Sequence, residues 1–112
     1  MRMASMLEDR DAALDRMGSR DLYIEIARVF AESLPETEAA IAAAMDRDAW
    51  QEARRLVHSL KSNCAAMGAE GLRCRVYILE KACANADVET AADLFDVLRR
   101  ELRALREELL EL

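Results

Sequence analysis

The chain has 112 residues, of which 53% are hydrophobic and 34% charged, and a net charge of -6; this is enough apolar content for one core, and the expectation is a single domain over residues 1–112. The acidic balance argues against nucleic acid as a main partner, because a phosphate backbone needs a basic stripe and only a local one is present. No apolar run approaches the ~18 residues of a membrane span, and the opening Met1-Arg2-Met3 is not followed by the apolar core of a signal peptide, so the expected compartment is the cytoplasm.

Only 3 Gly and 1 Pro among many Ala, Leu, Glu and Arg predict helix throughout and an all-α fold. From Leu7 to Met17 a short charged segment with Leu14 and Met17 turned inward, closed by Gly18, reads as a cover helix. Ser19 or Asp21 can cap the next helix, whose Leu22, Ile26, Val29 and Phe30 recur at i, i+4, i+7, i+8 and form the expected core face, with an end near Ser33. Pro35 suits the first turn of another helix, with Glu36 and Glu38 near its positive end and Ile41 and Met45 as its core contacts.

Asp48 is the predicted cap of a helix of about twenty residues, with Glu52 within capping-box reach. Its apolar stripe is Ala49, Ala53, Leu56, Leu60, Cys64 and Met67, all within roughly 160° to 240° of His58 at 100° per residue. His58 is the only histidine in the chain and lies opposite that stripe. Within about 60° of it fall Gln51, Arg54, Arg55, Lys61, Ser62 and Ala65, so the imidazole is read as exposed, electropositive in its surroundings and sterically open. Lys61, one turn away, can reach a group carried on the ring, and Gly68 ends the pattern.

A helix from Ala69 or Glu70 follows, with Leu72, Val76, Leu79 and Cys83 on one stripe and Tyr77 and Ile78 off it. Asp87 then caps a final helix carrying Ala91, Phe95, Leu98, Leu102, Leu105, Leu109 and Leu112 in a strict heptad stripe; its last two turns are expected to outrun the bundle, into solvent in the preferred reading or against a second chain in the alternative one. Short turns between long amphipathic helices predict an antiparallel four-helix bundle with the N-terminal cover helix added. Cys64, Cys74 and Cys83 are odd in number and lack a C-x-x-C pair, so core packing is expected of them, with neither a disulfide framework nor a metal site.

His58-Ser59-Leu60-Lys61 followed by Gly68 resembles the H-x-L-K-G…G signature of histidine-containing phosphotransfer (HPt) domains. The match joins a histidine, a lysine at +3, a small residue at +4, an apolar residue at +9 and a glycine at +10. Ser62 stands where the family usually has glycine. The resemblance implies that His58 takes a phosphoryl group from a receiver-domain aspartate or a histidine kinase, a hybrid kinase included, and hands it to another receiver. It further implies that Lys61 neutralises phosphate charge, that Ser62 lets the receiver approach and that Gly68 ends or loosens the helix. Arg54 and Arg55 are added from the residues themselves as contacts to an acidic receiver face, beside Ala65.

Such a domain is a phosphocarrier, expected to be a monomer without a nucleotide-dependent activity of its own. No Gly-rich loop with lysine and no carboxylate pair beside His58 is present to hold nucleotide or Mg²⁺; no cofactor is expected, and the metal of the reaction belongs to the receiver. Lys61, projecting from the His58 face, is expected to matter for transfer and little for folding. Two other classes compete. A histidine-kinase dimerisation helix pair commonly has an acid directly after the histidine and a proline soon after, whereas Ser59 follows here and no proline occurs beyond Pro35. A helical interaction scaffold with an incidental histidine would fail to exchange phosphate with a receiver.

Overall fold

The computed structural model describes residues 4–112; Met1, Arg2 and Met3, on which the signal-peptide reading partly rests, lie outside them. Five helices follow one another: α1 (Arg10–Met17), α2 (Arg20–Asp46), α3 (Trp50–Met67), α4 (Glu70–Ala84) and α5 (Val88–Leu110), and no strand occurs among the described residues. The four long helices pack in sequence, α2 on α3, α3 on α4, α4 on α5 and α5 back on α2, while α1 lies against α2 and α3. Their buried side chains form one apolar cluster.

Local chemistry explains most boundaries. The Ser19 hydroxyl accepts from the amide of Leu22, and the Asp87 carboxylate accepts from that of Thr90, each meeting a donor that a helix start leaves free. At the head of α3 the expected cap is replaced: Ala49 is the cap residue and makes no side-chain bond, Asp48 sits in the left-handed region at φ 56°, and Glu52 pairs with Arg47. The turn is closed by backbone bonds from Asp48 to Met45 and from Ala49 to Ala44, which satisfy carbonyls at the end of α2.

Pro35 does not start a new helix. It lies inside α2, which runs through it for 27 residues. Proline has no N–H, so the Ala31 carbonyl four residues earlier loses its helical donor; Arg106 Nε of α5 supplies one at 3.1 Å. The core face of α2 also differs from expectation. Tyr23, Ala27, Phe30, Ala31 and Leu34 are buried, whereas Leu22, Ile26 and Val29 are exposed, Val29 by 63%. Alanine scores low as a hydrophobe, yet it lets a neighbouring helix come close, and that approach decides which of two adjacent apolar stripes turns inward.

α3 buries Ala53, Val57, Leu60, Cys64 and Met67, with Leu56 and Ala49 only partly covered. The buried arc is rotated toward α4 relative to the stripe read from the sequence, because α3 is flanked by two long helices. On α4 and α5 the expected stripes are buried from Leu72 to Cys83 and from Ala91 to Leu109. The last turns of α5 do not run into solvent: Leu105 and Leu109 are buried, and Glu108 accepts from the Met6 amide at 2.8 Å and from the Ser5 hydroxyl. Cys64 and Cys83 are core residues and Cys74 is exposed.

Candidate functional site around His58

His58 sits near the middle of α3 with its side chain 55% exposed. Its ring is not free to turn. Nδ1 lies 2.8 Å from Oε2 of Glu80, a residue of α4 that packing brings against this face from 22 positions away. The other oxygen of the same carboxylate, Oε1, is held by the Lys61 ammonium at 2.6 Å. One buried carboxylate therefore holds both the imidazole and the lysine one turn beyond it.

The charge state of Glu80 follows from its surroundings. Burial acts to raise its carboxyl, but the hydrogen bonds and charges of Lys61 and then His58 outweigh burial and leave it below its ordinary value. Glu80 is therefore ionised at neutral pH and can only accept. It follows that Nδ1 carries the proton and that, in the neutral ring, Nε2 holds the lone pair.

Lys61 is also placed differently from its sequence reading. Its side chain is only 20% exposed, and its ammonium lies 4.8 Å from the centroid of the Tyr77 ring. It is thus a packed residue as well as a cation at the site. Ser62 is exposed and its hydroxyl donates to the His58 carbonyl at 3.2 Å, so the side chain is tied to its own backbone. Arg55 is exposed; Arg54 is half-buried and its Nε donates to Gln51 at 3.3 Å. The Ala65 carbonyl accepts from Arg16 of α1 at 3.2 Å.

Gly68 is buried. It ends α3 at φ 81°, and the space a Cβ would take is filled by the Asp9 backbone, 2.5 Å from that position; the Asp9 amide donates to the Gly68 carbonyl at 2.9 Å. The glycine that closes the motif is therefore the seat of the segment leading into α1. Cys64 lies beneath this face, and burial pushes its thiol up to about 12, which leaves no thiolate to compete with the imidazole.

Glu80 and Tyr77 were not singled out from the sequence as site residues. The available signal for Glu80 was an acid one residue past Leu79, on the shoulder of the α4 stripe, where a carboxylate is buried only when it has a partner.

The site is thus an exposed histidine on a helix, oriented by a buried acid that also holds a lysine. The family model of the Hpt domain matches residues 25–108, and the chain belongs to that family. Hpt domains are phosphocarriers that work with receiver domains and histidine kinases. Comparison with curated proteins gave no match, and neither did comparison with solved structures. Among the described residues no helix is long and apolar enough to cross a membrane.

Proposed function

We propose that this chain is the phosphotransfer protein of a two-component phosphorelay, with His58 as its phosphoacceptor. The observation that carries this reading is the 2.8 Å contact of Nδ1 with Glu80 on a side chain that is otherwise 55% exposed. It fixes the proton on the inner nitrogen and turns the lone pair of the outer one toward an approaching donor. In the transfer, the Nε2 lone pair attacks the phosphorus of a receiver's aspartyl phosphate. The N–P bond forms as the P–O bond to the aspartate breaks, and the carboxylate leaves with the electron pair. The ring keeps its Nδ1 proton and becomes cationic under the new dianionic phosphoryl group. Glu80 steadies that ring charge and Lys61 faces the phosphoryl charge; transfer to the next receiver is the reverse.

Several features support a receiver as the partner. Arg54 and Arg55 give the His58 face positive charge suited to an acidic receiver surface, and Ser62 with its hydroxyl tied back leaves the approach open. Leu22, Ile26 and Val29 form an exposed apolar stripe on the flank of α2 away from α5, since Ala31, on the other flank, meets Arg106 of α5. Gly68 contributes by shaping the end of α3 and Ala65 by its small size. The Mg²⁺ of the reaction is assigned to the receiver's own acidic pocket. The up-down antiparallel order of α2 to α5 is part of this reading, supported by the short connections between helices that pack side by side.

The test is incubation with a phosphorylated receiver. The wild type is expected to acquire acid-labile label and His58→Gln to acquire none. Label retained by His58→Gln would assign the acceptor elsewhere.

A further inference from the structure

We propose that Tyr77 is a positioning residue for phosphoryl transfer, acting through Lys61; this rests on the reading of His58 as the phosphoacceptor. Tyr77 is 44% exposed and stands outside the apolar cluster, so burial does not account for an aromatic here. Its ring meets two ammonium groups, Lys61 of α3 at 4.8 Å and Lys81, one turn along α4, at 5.5 Å. Tyr77, Glu80 and Lys81 recur at i, i+3 and i+4 and so share one side of α4, the side that Glu80 presents to His58.

The two partners of Lys61 do different things to its charge. Glu80 attracts the ammonium and neutralises it. The Tyr77 ring attracts it through its quadrupole and leaves the full positive charge in place. When a phosphoryl group arrives on Nε2, it competes with Glu80 for the same cation. A lysine side chain with four free torsions, released from the carboxylate, would otherwise swing into water. The ring restrains it beside the histidine without itself needing a counter-charge, so the ammonium can be shared between Glu80 and the phosphoryl oxygens. Tyr77 acts on the reacting atoms only through the lysine.

The experiment uses phosphoramidate as a small phosphoryl donor, which removes receiver docking from the measurement: Nε2 attacks phosphorus, the P–N bond of the donor breaks, and ammonia leaves. The wild type is expected to be labelled at His58. Tyr77→Leu is expected to be labelled about three- to fivefold more slowly, the range a cation–π contact at a partly exposed site supports, while Tyr77→Phe matches the wild type. In a Lys61→Ala background Tyr77→Leu is expected to add no further loss. Labelling of Tyr77→Leu at the wild-type rate, an equal loss in Tyr77→Phe, or an additive loss without Lys61 would each overturn the proposal. So would a loss in Lys81→Ala equal to that of Tyr77→Leu, which would assign the effect to the other ammonium. A wild type that takes no label overturns the phosphoacceptor reading itself, and the role of Tyr77 with it. Wild-type protein alone gives a second readout that does not depend on the variants folding: the ε-methylene protons of Lys61 should carry an upfield ring-current shift both before and after phosphorylation, and absence of that shift in either state overturns the proposal.

Discussion

The phenol of Tyr23 donates a 2.7 Å hydrogen bond to the backbone carbonyl of Met67, joining the beginning of α2 to the end of α3. Both groups are buried, and the carbonyl is one of the last in α3, where the helix itself offers few donors. Tyr23→Phe leaves that carbonyl in an apolar setting without this partner and is expected to cost about 1–2 kcal/mol, read as a lower midpoint in urea with an unchanged slope. The phenol has its ionisation raised, by burial first and by the Glu108 charge, with Arg10 opposing. A raised folded value means this contribution is whole below the ordinary value of 10 and is lost as pH rises through the folded one. The alkaline unfolding limb should therefore weaken in Tyr23→Phe.

Glu80 gives the opposite sign at the other end of the pH scale. Its folded value is lowered, so its contribution is complete above 4.5 and is lost as pH falls through the lower folded value. Lys61→Ala removes the main opposition to burial and leaves a buried carboxylate oxygen without its cation. The variant is expected to lose about 1–3 kcal/mol at neutral pH, a deficit that shrinks as pH falls because a protonated Glu80 no longer needs the cation, so its acid limb is shallower than that of the wild type. Chemical denaturation between pH 3 and 7 measures both effects. A wild-type acid limb in Lys61→Ala would mean that Glu80 is not held by this lysine.

Gly68→Ala places a methyl group where the Asp9 backbone lies and forces an alanine to φ 81°. The backbone term alone is about 1 kcal/mol or more, and the methyl cannot be accommodated unless the chain before α1 lifts away. The expected result is a loss of at least about 2 kcal/mol and faster hydrogen exchange at the Asp9 amide, whose bond to Gly68 is broken. Exchange at the Ser19-capped start of α2 should change far less.

Ser62 tests the approach to His58. Ser62→Gly removes a hydroxyl that only bonds its own helix and should keep transfer, at a helix cost of about 0.5–1 kcal/mol. Ser62→Arg keeps a good helix former at an exposed position and projects its bulk across the face that carries the imidazole. Its circular dichroism should match the wild type while exchange with a phosphorylated receiver is blocked and labelling by phosphoramidate persists. Exchange at the wild-type rate would show that the receiver docks from another side.

The motif of the site was legible because it is local. His58, Lys61, Ser62 and Gly68 are placed by the 3.6-residue repeat of one helix; the apolar stripe beneath them was legible only in part, since Val57 and not Leu56 is fully buried. Glu80 was not legible, because the contact that matters is set by how α3 and α4 come into register. The same division holds for the fold. Ser19 and Asp87 announced the helix starts they cap, since a capping side chain acts within three residues. Gly68 was read correctly as a helix end, but the chain that occupies its missing Cβ comes from Asp9, far away in sequence. On α2 the larger residues Leu22, Ile26 and Val29 outweighed Tyr23, Ala27 and Ala31 in any hydrophobicity count, and close helix packing reversed the choice.

Pro35 carries a consequence for the order in which the molecule is assembled. The donor that completes the middle of α2 comes from Arg106, 75 residues further along the chain. Until α5 has been made and docked, the first long helix has an open carbonyl at its centre and is best able to bend or fray there. The carbonyl at the centre of α2 therefore gains its donor only when α5 docks on it. Arg106→Ala should accordingly speed unfolding and leave the folding rate almost unchanged, a pattern that stopped-flow chevrons resolve.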